Sequence, residues 1–511
     1  MNSLPIASAR GAFVGAVGLT FVGQLASVAY EIAVAAHFGT TWQGDALALA
    51  FIVPFALSHE TTLWIGSAFV PVYLEVWTRH GPAAARALFL RSAVWVGALA
   101  ALLAGAWMIA APGSAALLGG ERAPEATAVT GQLFRLFALL LALVPFSALL
   151  ARALEAHGSF VIPAARQLCW YGGALAAVLL GSRALGPSAV PLGMNLGLAI
   201  YLVVLLSAVR GRIVNSGGAA GPTGEGTKQL ARLLPPLMVG SLATWLNVLA
   251  ERALAARQGV GSLAALTYAF RLLNFPLTLF LLNATAILFP TLALHAARLE
   301  RRQLAALTDK ALRLTFFFVF PLASLATVLA GPLVQVALER GAFTRASTAA
   351  TGLALALYAP GLVALAGIQV LMRSYQALQL VPRMVRVGII VAALNVAAML
   401  VLTLKLGFVG IPLAWSLTSW LHLAALLYGI RQDLRDLDLR TLLGAGLRCG
   451  AAAVLAGGVA WVVAGPAGGG TPSLLSGGAA GTGAYALLVW GIAREEGRLA
   501  LRTAIARRRE E

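Results

Sequence analysis

Residues 21–71 read FVGQLASVAYEIAVAAHFGTTWQGDALALAFIVPFALSHETTLWIGSAFVP. Two strongly apolar segments in this stretch carry polar groups: Gln24, Glu31, Asp45, His59 and Glu60. An ionisable side chain at membrane depth costs ~2.5–3.5 kcal/mol or more on insertion scales. Such groups therefore face a water-filled cavity or a protein partner, unless they lie close enough to a segment end to reach the membrane surface. The stretch predicts two membrane spans that carry a polar route through an apolar protein.

The whole chain has the same character. Of its 511 residues, 60% are hydrophobic and 11% are charged, against about 25% charged in a soluble domain. Too little polar surface remains to cover a soluble fold, so the chain is predicted to be an all-α polytopic membrane protein. Net charge is +18. In a soluble protein that balance would point to nucleic acid. Here most Lys and Arg sit in short loops between apolar segments, where they set topology and meet anionic lipid headgroups, so no nucleic-acid partner is expected.

Cys169 and Cys449 are too far apart and too few to form a disulfide framework or a metal motif. The N-terminus, with Arg10 before a long apolar run, reads as a retained first span. There is no Walker A loop, and the six histidines show no metal-ligand spacing. Neither enzymatic chemistry nor a bound cofactor is expected.

A span needs about 20 mostly apolar residues, and fourteen candidates follow one another from about residue 12 to 493. Counted under this topology, 28 of the 37 Lys and Arg residues fall on the side that holds both termini, and 6 fall on the other. By the positive-inside rule both termini are cytoplasmic. The Gly/Ser/Pro-rich segment 210–231 reads as a flexible cytoplasmic linker. It separates an N-terminal six-helix lobe (1–209) from a C-terminal one (232–430), and 431–511 adds two further spans and a basic tail. The lobes look related. Glu31, Phe51 and Pro71 recur as Glu251, Phe270 and Pro290 at nearly the same spacing. Internal repeats of this kind mark transporter folds with a site at the repeat interface. Pro54 and Pro276 lie inside the long second and eighth segments and predict bends there.

Among the intramembrane polar groups, Arg271 in TYAFRLLNFP offers a planar fork suited to phosphate or carboxylate. Its alternative is an arginine reaching the outer interface. Asp45 opens the second segment, where a carboxylate also suits a helix N-cap. Glu31 lies deeper and suggests proton or cation coupling. His59 and Glu60 require a helix break or a cavity. Asn247, Asn395 and Thr403 are candidate fragments of a monovalent-cation site; the alternative is hydrogen bonding between helices.

Several segments, in order, resemble the MurJ (MviN) branch of the multidrug/oligosaccharidyl-lipid/polysaccharide exporter superfamily. They are HFGTTWQGDALALAFIVP, GSAFVPVYLE, TYAFRLLNFPLTLFLLNATAILFPTLALHAA, GPLVQVALERGAFT and GFVGIPLAWSLTSW. The resemblance implies two pseudo-symmetric six-helix lobes plus two C-terminal helices, and an alternating-access cycle. It also implies a substrate of the undecaprenyl-pyrophosphate-linked glycan class, lipid II or a related precursor. Na+, H+ or membrane potential would drive transport, and cell-wall or polysaccharide synthesis proteins would be partners.

Carried over by position, Arg271 matches the family's arginine of the eighth span, and Asp45 and Glu31 match acidic residues. Gln24 and Tyr30 stand where the family has arginines. SHETTLW, with His59 and Glu60, replaces its paired arginines and glutamate. Phe270 and Asn274 replace acids that flank the arginine of the eighth span. Two other functions fit the residues: a cation-coupled exporter of small amphipathic compounds, and a transport-inactive scaffold for envelope synthesis.

Overall fold

The computed structural model describes residues 9–119, 123–214, 224–276, 300–465 and 469–499, and among them every regular element is a helix. In chain order these are α1 (Ala9–Phe38), α2 (Trp42–Gly119), α3 (Pro124–Ala156), α4 (Val161–Ala164), α5 (Arg166–Leu185), α6 (Ala189–Val209) and α7 (Gly224–Ala256). A helix whose described part is 262–276 follows as α8. Then come α9 (Arg301–Val328), α10 (Ala330–Leu338), α11 (Arg345–Ala377), α12 (Val381–Leu406), α13 (Gly410–Ile430), α14 (Leu439–Ala464) and α15 (Gly470–Ile492).

Among the described residues nine continuous helical stretches are long and apolar enough to cross a membrane. Three of them, Trp42–Leu118, Val161–Val214 and Val381–Ile430, run for 77, 54 and 50 residues. At 1.5 Å per residue each is far longer than one crossing of a ~30 Å hydrocarbon core, so each holds two spans. With α7 and α8 the order matches the fourteen-span reading. Large apolar side chains such as Leu180 (89% exposed) and Leu404 (88%) lie on the outside of the helices, as lipid contact requires. The chain is a multi-pass membrane protein.

Helical φ/ψ continues through Pro54 and Pro71. The break in α2 falls at Gly81, with φ 83 and ψ 176, in the connection between the second and third spans. Gly81 has no Cβ to oppose that conformation, and Pro82 after it cannot donate to the preceding turn. Pro276 ends the described part of α8, and Pro290 lies outside the described residues. The segment 210–231 is also less linker-like than its composition suggests. Arg210–Val214 forms a π turn on the end of α6, and α7 already begins at Gly224. Here α7 packs on α2, with Gly226 against Val76 and Leu88, and Gln229 donates to Glu75 at 3.3 Å.

By contact the chain forms two compact units, Met1–Gly261 and Ser262–Glu511. In the first, α2 packs along α3 and α7, α1 packs on α5, and α5 on α6. Phe51 of α2 is an aromatic hub, with ring centroids 5.6 Å from Phe137 of α3 and 6.3 Å from Trp170 of α5. The α5–α6 crossing is so close that a Cβ on Gly197 would sit 1.9 Å from the Cys169 carbonyl oxygen. Small residues at such crossings let backbones approach where lipid provides no hydrophobic drive.

In the second unit α11 packs on α9 and α13, α12 on α13, and α14 on α9 and α15. Phe270 of α8 sits 5.5 Å from Tyr358 and 5.4 Å from Trp415. Thr344 and Ser347 close a reciprocal capping box at the start of α11. The last two spans are bound to the rest of the unit by polar contacts. Tyr485 Oη donates to the Phe317 carbonyl at 2.8 Å and Ser324 Oγ to that of Ala453 at 2.7 Å. They are joined to each other by Arg448 of α14, which reaches the buried Glu496 after α15 at 2.6 Å.

Asp45 is fully buried (0% exposed) in the first turn of α2. It is not the N-cap of that helix. Its Oδ2 accepts from the backbone N–H of Gly261, 2.8 Å away and 216 residues later. Gly261 has φ +87, and a Cβ there would stand 2.2 Å from the Thr40 carbonyl oxygen. The α1–α2 turn and the turn after α7 are thus locked by one charge-assisted hydrogen bond and one glycine. Asp45→Ala would leave the buried Gly261 N–H unsatisfied, at about 1–3 kcal/mol. Thermal unfolding in detergent should show a clear fall in Tm for Asp45→Ala and for Gly261→Ala.

At the end of α3, His157 Nε2 lies 2.8 Å from Tyr73 Oη, and its ring meets Trp77 edge-on at 4.9 Å. Burial, reinforced by the Arg212 guanidinium, lowers its pKa below the ordinary 6.5. The unfolded chain therefore binds the proton more readily. His157 contributes stability above about pH 6.5, and that contribution is lost as pH falls through its lowered value. Melting curves between pH 7.5 and 5.5 should show a fall in Tm that is smaller in His157→Phe.

Candidate functional site

The polar residues of α1 are arranged at helical spacing. Gln24, Ser27 and Glu31 fall at i, i+3 and i+7, on one face of the helix. On α5, Gln167 and Tyr171 share a face at i and i+4. The two faces meet. Gln167 Nε2 donates to Gln24 Oε1 at 3.1 Å, and the Tyr171 hydroxyl is hydrogen-bonded to Ser27. Tyr30, 4% exposed, places its ring 5.5 Å from that of Tyr171. Glu31 is half-buried, with its Oε2 atom enclosed. Gln24, Tyr30 and Glu31 therefore belong to one polar seam inside the first unit.

A second set of contacts runs along α2. The helix passes through His59 and Glu60 without a break. His59 is exposed, whereas Glu60 is 9% exposed; as neighbours in a helix they point about 100° apart. Two residues on, Thr62 accepts a hydrogen bond at 2.7 Å from Arg166, the first residue of α5. One turn further, Gly66 makes room for Arg152 of α3, whose Nε would be 3.3 Å from a Cβ built there. Arg152 in turn bonds Glu155 at 2.5 Å. Arg152, Glu155, Tyr171 and Tyr201 all lie within electrostatic reach of Arg166. The Tyr201 hydroxyl donates to the Pro163 carbonyl at 3.1 Å, at the break between α4 and α5 from which Arg166 projects.

The second unit holds Arg271 and Asn274. Both are half-buried and one turn apart on the 262–276 helix. Phe270 beside them is committed to the aromatic cluster with Tyr358 and Trp415.

Of the candidate cation residues, Asn247 is half-buried on α7 of the first unit, while Asn395 and Thr403 are buried on α12 of the second. Asn395 Oδ1 accepts from Thr418 Oγ1 of α13 at 2.7 Å, a hydrogen bond between helices. Among the described residues no group of three or more His, Cys, Asp or Glu side chains is placed to hold a metal ion.

Arg152 and Arg166 are not among the candidate site residues that the sequence suggests. The usable signal is local. In GSFVIPAARQLCWYGG a proline is followed within one turn by Arg166 and then by an apolar span carrying Gln167 and Tyr171 at i+1 and i+5. An arginine there sits on the span rather than beside it.

Three kinds of similarity bear on the chain. The family model "Lipid II flippase MurJ" matches residues 34–469. A lipid II flippase MurJ of Burkholderia cenocepacia is 27% identical over 429 residues, covering 81% of this chain and 82% of the relative. A probable lipid II flippase MurJ of Vibrio cholerae is 28% identical over 237 residues, 46% of this chain and 45% of the relative. Among solved structures, a lipid II flippase MurJ in an inward closed conformation superposes with a TM-score of 0.76 at 19% identity, covering 94% of this chain and 99% of that one. An inward-facing multidrug resistance MATE family transporter of the MOP superfamily superposes at 0.69 and 13% identity, covering 83% of this chain and 98% of that one. These last two likenesses concern the fold. Because the family model spans most of the sequence and both units, the chain belongs to the lipid II flippase MurJ family.

Proposed function

We propose that this chain is a flippase that moves an undecaprenyl-pyrophosphate-linked glycan precursor, lipid II or a related one, across the bacterial cytoplasmic membrane. The observation that carries this reading is the family match over residues 34–469. The polar seam of the first unit supports it, since a glycan headgroup must be hydrated or hydrogen-bonded along its path. Arg271 and Asn274 supply a cation and an amide to headgroup recognition, and Glu31, His59 and Glu60 line the polar route. Asp45 acts by holding the turn from which α2 starts.

Both termini lie in the cytoplasm, as the distribution of Lys and Arg favours. The basic loops contact anionic lipids, and cell-wall or polysaccharide synthesis proteins supply or consume the substrate. The lobes alternate in access, and Na+, H+ or the membrane potential drives the cycle. With Asn395 hydrogen-bonded to Thr418, Glu31 is the better candidate for a coupling group than an Asn395–Thr403 cation site.

The test is complementation of a strain depleted of its lipid II flippase, together with headgroup translocation in proteoliposomes. Growth and flipping are expected for the wild-type chain. Arg271→Ala should abolish translocation while the protein still inserts. A well-expressed wild-type chain that neither complements nor flips would reject lipid II as substrate. Unchanged flipping by Arg271→Ala would remove that residue from the site.

A further inference from the structure

The family position supplies Arg271 in the second unit but no arginine on α1 of the first, where Gln24 and Tyr30 stand. Yet the first unit carries two guanidinium groups on one face of α2. Arg166 touches Thr62, and Arg152 lies over Gly66, four residues or about 6 Å further along the helix. They come from different helices, α5 and α3, so neither is placed there by sequence adjacency.

Their donors are only partly used. Arg166 donates to Thr62, and Arg152 to Glu155. Each guanidinium has five N–H donors, and among the described residues the remaining ones make no hydrogen bond. The Arg152–Glu155 pair keeps 32% and 25% side-chain exposure, and Arg166 is likewise half-buried. Both guanidinium groups therefore keep accessible surface that helix packing does not cover. Two arginines facing one carboxylate leave an excess positive charge. A half-buried site with spare, planar donors suits an anion that accepts bidentate bonds, above all a phosphate. Thr62 adds a neutral polar group beside it.

We infer that Arg166 and Arg152 form a phosphate-recognition element on the α2 face of the first unit, which takes the diphosphate of the lipid-linked substrate. The inference rests on the flippase reading for the identity of the ligand, but not for the presence of an anion site. Arg166 is the primary ligand and is oriented by Thr62. Arg152 is the second arm and is oriented by Glu155.

The test uses the purified full-length chain in lipid nanodiscs. Binding is measured for undecaprenyl diphosphate, undecaprenol, inorganic pyrophosphate and phosphatidylglycerol. The variants are Arg166→Gln, Arg152→Gln, Arg166→Lys and Thr62→Val, with Arg183→Gln as a control away from the recess. Undecaprenyl diphosphate should bind the wild type. Its affinity should fall about tenfold or more in each Arg→Gln variant, consistent with loss of charge-assisted hydrogen bonds. Arg166→Lys should recover part of the loss, and Arg183→Gln should bind like the wild type. Should Arg166→Gln fail to fold, Arg166→Lys and Thr62→Val carry the comparison, with an expected intermediate loss.

Unchanged undecaprenyl diphosphate affinity in folded Arg166 and Arg152 variants of a chain that flips its substrate would overturn the inference and leave the flippase reading intact. Arginine-dependent binding of inorganic pyrophosphate without binding of the lipid would keep the anion site and overturn its assignment to a lipid-linked substrate. An equal, arginine-dependent affinity for phosphatidylglycerol would also overturn the assignment, by making the recess a general anionic-lipid site.

Discussion

A polar side chain inside hydrocarbon must find its partner within the protein, because the bilayer core offers none. The first unit meets this constraint with the contact between Arg166 and Thr62. Arg166 projects from the break between α4 and α5 and reaches Thr62 in the first half of α2. The same α5 surface then runs along α1, where Gln167 meets Gln24 and Tyr171 meets Ser27. Three helices are thereby held in one register by groups that would each be costly if left alone. The contacts that satisfy them leave spare guanidinium donors on Arg166 and Arg152, the groups proposed above to take an anionic headgroup.

The two units solve their packing in parallel ways. Phe51 on the second span stacks against an aromatic of the fourth span and a tryptophan, Phe137 and Trp170. Phe270 on the eighth span stacks against an aromatic of the tenth and a tryptophan, Tyr358 and Trp415. The spacing that relates Phe51 to Phe270 in the sequence therefore has a counterpart in the packing. The polar layer differs. The first unit adds two arginines from outside its first two spans, whereas in the second Arg271 sits on the eighth span itself.

The helices were legible in the sequence because a membrane span needs a long apolar run, and such runs are hard to mistake. Charge counting assigns Arg152 and Arg166 to a membrane side but says nothing of what they touch. Arg152 and Arg166 lie near loops in sequence, and the positive-inside rule has no term for a side chain that folds back onto a neighbouring span. Proline at 54 or 71 removes one hydrogen bond but can keep helical geometry, whereas Gly81 alone adopts a positive φ. The role of Asp45 was hidden by distance. Its partner is a backbone N–H 216 residues away, and a backbone group leaves no mark in the sequence. Asn395 shows the opposite limit: the sequence allowed either a cation ligand or a hydrogen bond between helices, and only the position of Thr418 on α13 selects the second.

The central claim is that the Thr62 recess of the first unit is a wet, substrate-occupied site and not a sealed packing contact. In a background where Cys169 and Cys449 are replaced by serine, Thr62→Cys can be exposed to a water-soluble maleimide in vesicles, with and without undecaprenyl diphosphate. The recess predicts rapid labelling in the absence of the lipid and protection in its presence. A folded variant that resists labelling, or is labelled equally in both conditions, would contradict it.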